Sequence, residues 1–277
     1  VLRRALEGGG MAAEELEALR ERGLGLVAAL ATTQLDDGGW APWQGGRRAE
    51  VRDSARCLWA LAEARRATLA LPDGLLDRSA AHLTKAFAQL GQQDDATRAV
   101  VQHALASAGR GDFAALNRLH RERASLSPVA LAATALGLAA HGSTPMAADL
   151  CALIEQAAGG ASGAPFTVAE NPGWALANDE QVALSVLALQ AAAPSSARIA
   201  PALDWLLGRR PFGRARGLVL LAGAGASRAE LPEGETVRVR VAVEGRPAQE
   251  VLVEGGRTAE LAYDLADVRS RRIGLEV

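Results

Sequence analysis

The feature that most constrains this fold is an alternation between two kinds of helical segment. "RDSARCLWALAEA", "DDATRAVVQHALASAG", "LSPVALAATALGLAAHG", "NDEQVALSVLALQAAAP" and "FGRARGLVLLAGAGA" are rich in small residues and apolar on nearly every side. Interleaved with them are "AAEELEALRERGLGLVAALATT", "LLDRSAAHLTKAFAQLG", "FAALNRLHRER", "PMAADLCALIEQAAG" and "RIAPALDWLLGRR", which are more polar and amphipathic. A helix apolar all round must be buried all round, whereas one with a charged stripe faces water. Two concentric layers satisfy both demands. The pattern predicts a mainly α chain, an α/α toroid of about five helix pairs. Its inner helices should start near Arg52, Asp95, Ser127, Asn178 and Phe212 and point the same way. The apolar centres Leu61, Leu105, Leu136, Leu189 and Leu221 are 44, 31, 53 and 32 residues apart, the range of helix-pair repeats. An open solenoid is the alternative, but it leaves one face of each inner helix exposed.

Near residue 229 the period changes from three or four to two. "ETVRVRVAVEG" alternates Val with Thr, Arg or Glu, and "QEVLVEGG", "TAELAYDL" and "RRIGLEV" follow with glycine-containing turns between them. The expected organisation is therefore a helical domain at 1–228 and a partial antiparallel β-sandwich at 229–277. Four short strands make half a sandwich at most. With Val1 in place of methionine and a strand at the C-terminus, the sequence reads as a piece of a longer polypeptide, whose targeting signal would lie elsewhere.

Composition narrows the classes. Lys and Arg number 30 against 32 Asp and Glu, for a formal net charge of −2, so no whole-chain basic surface exists to neutralise phosphates, and nucleic acid is a poor partner. The longest apolar run, near "PVALAATALGLAAHG", falls short of the roughly 20 residues that span a bilayer. Cys57 and Cys151 each sit in an apolar helical pattern without metal-ligand spacing and read as buried free thiols.

The most distinctive short stretch is "QLDDGGWAPWQGG", Gln34 to Gly46, which joins an outer helix to an inner one. Adjacent carboxylates at Asp36 and Asp37 invite an acid catalyst or a metal. Glycines beside tryptophans instead invite a tight turn in which the Asp bonds backbone N–H groups, and this reading is preferred. Gln34, Asp37, Gly38 and Trp40 spell Q-x-x-D-G-x-W. That pattern resembles the motif repeated in squalene and triterpene cyclases and in prenyltransferase β chains, where an amide and a tryptophan hold neighbouring turns together.

Several segments in order resemble the helical thioester-type domain of bacterial alpha-2-macroglobulin-like proteins. They are "DDGGWAPWQGG" followed by "SARCLWALAEAR", then "GDFAALNRLHRERASLSPVALAATALGLA", then "NPGWALANDEQVALSVLALQ" before "ALDWLLGRR". "ETVRVRVAVEGRPAQEVLVEGG" stands where that family passes to a CUB-like β domain. The resemblance implies a non-catalytic domain of a proteinase trap in the periplasm, cell envelope or extracellular space. Proteinases would be its partners through the intact parent, along with the parent's other domains; no cofactor is implied. It also implies a further helix pair carrying the thioester segment, so the ring here is expected to be incomplete at its N-terminal side. The thioester needs C-x-E-Q, and neither cysteine begins it: Leu58, Trp59 and Ala60 follow Cys57, and Ala152, Leu153 and Ile154 follow Cys151.

Two other classes stay open. A toroid enzyme of the cyclase type needs D-x-D-D, and "GQQDDA" has Gln92 where the first Asp would stand; aromatic residues are only 4% of the chain. A prenyltransferase needs Asp, Cys and His on zinc, for which Cys57 and His103 are the candidates. His82, His103, His120 and His141 show no metal spacing and read as surface or helix-end residues, so no catalytic or metal residue is assigned. Asp53, Asp95 and Asp179 fall near inner-helix starts, as first-turn or capping residues do. The third class is a protein-binding module whose ring-end loops present Trp40, Trp43, Phe166 and Trp174. Inner helices built mainly of Ala, Leu, Val and Gly are expected to close together without leaving a deep pocket.

Overall fold

The computed structural model describes residues 13–91, 94–157, 164–166, 178–209, 214–226, 236–243, 247–254 and 273–276. Ten α-helices are described: α1 Ala13–Thr33, α2 Val51–Arg66, α3 Leu75–Gln89, α4 Asp95–Ser107, α5 Phe113–Arg121, α6 Pro128–Ala140, α7 Thr144–Gln156, α8 Asn178–Ala192, α9 Ile199–Gly208 and α10 Arg214–Ala226. A 3₁₀ turn, Arg123–Ser125, precedes α6. Three strands follow: β1 Thr236–Val243, β2 Gln249–Glu254 and β3 Ile273–Glu276.

The two helix types separate by burial as their sequences require. Residues Val129 to Leu138 of α6 and Glu180 to Leu189 of α8 are all buried. In the outer helices burial is confined to a stripe: Ala115, Leu116 and Leu119 in α5, and Ala147, Leu150, Cys151 and Ile154 in α7. The inner helices α2, α4, α6, α8 and α10 pack on one another in series, with α3, α5, α7 and α9 each wedged between two of them. They run parallel. Ser127, at the start of α6, donates its N–H to Asp95 Oδ2 at the start of α4 (2.9 Å). At the other end, Arg65 and Arg66 of α2 donate to the carbonyls of Ala108 (2.9 Å) and Ser107 (3.0 Å), covering the orphan C-terminal groups of α4.

Helix ends follow local chemistry. The side chains of Glu50, Asp94, Asp112 and Ser127 cap α2, α4, α5 and α6 by accepting backbone N–H groups, and Pro128 opens α6 where its missing N–H costs nothing. Three inner helices stop in the same way. Gly109 (φ 77°) and Gly142 (φ 88°) adopt the left-handed conformation, and the next residue's N–H reaches back to Leu105 O (2.8 Å) and Leu138 O (2.8 Å). Thr68 (φ 58°) does the same after α2 without being glycine, and Leu69 N–H meets Ala64 O at 3.0 Å.

The sheet has the order β2-β1-β3, antiparallel throughout, with Val237 opposite Val253, Val239 opposite Val251, and Val241 opposite Leu275. The change from helix to strand falls between Ala226 and Thr236. The expected strand "TAELAYDL" lies outside the described residues. The mainly α toroid and the antiparallel strands after it agree with the sequence reading.

Candidate functional site

The inner helices leave space on the ring axis. A cavity of about 740 Å³ is lined by all five of them and by α1. This corrects the expectation that they close without a deep pocket. The side chains facing the axis include Ala55, Ala60, Ala64, Ala104 and Ala133, with Gly217 on α10, and residues this small cannot meet across it. Leu26 of α1 and Leu220 of α10 line the cavity and are 65% and 53% exposed, so it opens to solvent along these two helices.

Its polar lining is sparse. Arg56 of α2 crosses the ring to Glu180 of α8 (3.3 Å) and also lies 3.8 Å from Asp53; Glu180 is buried. His103 of α4 is buried against the Trp59 ring edge-on, with centroids 4.6 Å apart. Burial, and then the positive charge of Arg66, push its pKa down to about 3 from 6.5. At neutral pH it is an uncharged imidazole rather than an imidazolium. Its place mid-helix departs from the expectation of a surface or helix-end histidine, because the flat ring of Trp59 lets an imidazole fill apolar space.

The other ionisable candidates are drawn to separate partners. Asp95 holds the start of α6, Asp179 takes Arg209 Nε at 2.9 Å, His82 faces Asp37 at 3.5 Å, and His120 faces Asp149 at 3.4 Å. His141 stacks on Phe113 with centroids 5.2 Å apart. Among the described residues no group of three or more His, Cys, Asp or Glu side chains is placed to hold a metal ion. Burial pushes both thiols up to about 12, with the charge of Asp53 adding at Cys57 and that of Glu155 at Cys151. Neither sulfur is a thiolate at neutral pH, the form in which a cysteine acts as a nucleophile.

The Q-x-x-D-G-x-W residues converge on the joint between α1, α2 and α3. Gln34 Nε2 donates to the carbonyls of Gly38 (3.0 Å) and Leu75 (3.1 Å), and its Oε1 accepts from Arg78 Nε (3.0 Å) and Nη2 (2.8 Å). Asp37 Oδ1 accepts the Gly39 N–H at 3.0 Å. Gly38 (φ 87°) presses against the Arg78 carbonyl so closely that no Cβ fits. Trp40 is 3% exposed, with its indole N–H on Leu30 O (2.9 Å) and its backbone N–H on Ser54 Oγ (2.9 Å).

Two of the proposed contact aromatics, Trp40 and Phe166, are buried. Trp40 lies in the core of α2, α3 and α4, while Phe166, 2% exposed, lies in that of α6 to α10. Trp43 is 71% exposed at a loop tip, and Trp174 lies outside the described residues. Sequence reading missed Arg56, Glu180 and Trp59 as cavity residues. The available signal was a charged or polar side chain inside an otherwise apolar inner helix.

Parallel inner helices around one axis, outer helices between them and an antiparallel sheet after the last define an α/α toroid with a β extension. Bacterial alpha-2-macroglobulins contain the same arrangement. The native Escherichia coli protein, in a crystal structure from domain MG7 to the C-terminus, matches with a TM-score of 0.63 and 16% identity over 91% of this chain and 40% of that chain. Salmonella alpha-2-macroglobulin reacted with methylamine matches with a TM-score of 0.58 and 16% identity over 80% of this chain and 15% of that one. The trypsin-activated E. coli protein gives 0.58 and 14% over 90% and 16%. The likeness is one of fold, and this chain spans less than half the length of each of these structures. No family model matches the chain, and no curated protein matches it by sequence. Among the described residues no helix is long and apolar enough to cross a membrane.

Proposed function

We propose that the chain is the helical domain, residues 1–228, and the start of the following β domain, 229–277, of a bacterial alpha-2-macroglobulin-like proteinase-trapping inhibitor. In this reading it is a non-catalytic wall of the trap, in a periplasmic, extracellular or cell-envelope protein, with no thioester of its own. The observation that carries the reading is the match in fold to bacterial alpha-2-macroglobulin over 91% of the chain. Proteinases as partners are supported by matched E. coli structures described as activated by trypsin and by porcine elastase. The open side of the cavity, between α1 and α10, is where we place the further helix pair that the resemblance implies. Gln34, Asp37, Gly38 and Trp40 serve as the structural joint of the first helix pairs, and Trp43 as a surface residue available to a partner.

The experiment is to mix trypsin with the longer polypeptide that carries this chain and separate the mixture by size. Trypsin should co-elute with the large species and keep its activity on a small chromogenic substrate. Trypsin eluting alone would refute the trap. The central cavity gives the prenyltransferase-type reading its one supporting observation, and metal analysis decides it. The purified chain should hold far less than one zinc per chain; one zinc per chain, lost in Cys57→Ala, would establish the enzyme reading instead.

A further inference from the structure

The loop Ala41–Ala49 is the long connection between α1 and α2, and it has neither helix nor strand. Its base is fixed: Glu50 donates its N–H to the Trp40 carbonyl at 2.9 Å, and Trp40 itself is buried. Its tip is exposed. Pro42, Trp43, Gln44, Gly45, Arg47 and Arg48 all face solvent, and one turn bond, Gly46 N–H to Trp43 O at 3.1 Å, organises them. Gly45 takes a φ of 80° and nothing lies within reach of a Cβ there. A proteinase binds its substrate as an extended strand, so it cuts where several residues can straighten without breaking a helix. This tip can straighten at the cost of its turn bond while the clamp at the base holds. Its two arginines are adjacent and unburied.

We infer that Ala41–Ala49 is a cleavage loop for proteinases whose primary pocket carries a carboxylate and so selects arginine. Water adds across the bond after Arg47 or Arg48. The hydroxyl goes to the arginine carbonyl carbon, leaving a carboxylate, and the proton goes to the departing nitrogen, leaving a new α-amino group on Arg48 or Ala49. For its biological role the inference rests on the proteinase-partner reading; the cut is a property of this chain alone. Cleavage severs α1, which lines the open side of the cavity, from the rest of the ring. The two pieces stay together, because Trp40 remains on the α1 piece while sharing a buried cluster with Leu58, Leu75 and Leu83 of the other.

The test is brief digestion of the 277-residue chain with a trace of trypsin, followed by intact mass and by gel filtration without denaturant. Arg110 is the internal control. Its side chain is 60% exposed, but it sits in the short turn after α4, with its N–H on Leu105 O (2.8 Å) and its guanidinium on Asp77 (2.9 Å). Cutting after Arg47 or Arg48 should outpace cutting after Arg110 by about tenfold or more, since exposure without local flexibility does not admit a proteinase. The double substitution Arg47→Gln, Arg48→Gln should remove the early pair of fragments, and the pieces from the unsubstituted chain should co-elute. Equal cutting at Arg110, an early pair that survives the double substitution, or pieces that separate without denaturant would each overturn the inference. Failure of the trap in the longer polypeptide would leave these results untouched.

Discussion

Trp40→Ala is expected to lower the stability of the chain by about 2–4 kcal/mol, the cost of removing a packed ring and leaving a hole that its neighbours cannot close. The ring lies in one buried cluster with Ala55 and Leu58 of α2 and Leu75 and Leu83 of α3, so the loss is felt at the joint of the first two helix pairs. It also carries a hydrogen bond, and the carbonyl of Leu30 loses its indole partner. Trp40→Phe keeps most of the buried area and forfeits that bond, so its cost should be nearer 1 kcal/mol. Thermal or denaturant unfolding of the three proteins measures both effects. A Trp40→Ala protein as stable as the wild type would mean that the ring is no anchor. Trp43→Ala, at the exposed tip of the same loop, should unfold with the wild type.

His103 should make folding weaken as the solution is acidified. Its folded pKa lies at about 3, below the ordinary 6.5 of an unfolded chain, because burial against Trp59, and then the positive charge of Arg66, disfavour the charged form. Between those two values the unfolded state binds more protons than the folded one, so stability rises with pH. The contribution is fully present above about pH 6.5 and is lost progressively as pH falls toward 3. From pH 7 to pH 5 this single group should cost about 2 kcal/mol, the free energy of protonating an ordinary imidazole that the fold keeps neutral. Denaturant unfolding at both pH values, in the wild type and in His103→Gln, isolates it. The substituted protein should lose about 2 kcal/mol less over that interval, whatever its absolute stability. Equal losses in the two proteins would show that His103 takes its proton inside the fold.

The helical layers were legible because an apolar surface on every side admits a single solution, burial on every side. Hence the segments around Leu136 and Leu189 read as inner-ring helices, and the inner helices at Val51, Asp95, Pro128, Asn178 and Arg214 begin within about two residues of the expected starts. The stops at Gly109 and Gly142 went unread although they have a local reason, since glycine after a helix supplies the left-handed turn. Thr68 was not legible, because a threonine carries no signal that tertiary packing will hold it at positive φ. The cavity was hidden for a geometric reason. Alanine and glycine either draw helices together or leave a gap between them, and the sequence does not say at what distance the outer layer holds the inner helices apart. Arg56 and Glu180 are 124 residues apart, with no periodic pattern linking them, so their meeting across the ring appears only in three dimensions.

The central claim, that this chain is part of a wall enclosing a captured proteinase, is tested most directly by a ratio of activities. Enclosure blocks by size and leaves the proteinase's own site free. Trypsin held by the longer polypeptide should therefore cleave a chromogenic peptide nearly as fast as free trypsin while losing most of its activity on a folded protein substrate and its access to a protein inhibitor. Equal loss on small and large substrates would mean that the site itself is occupied, and no loss on either would mean that nothing is enclosed; both results contradict the account.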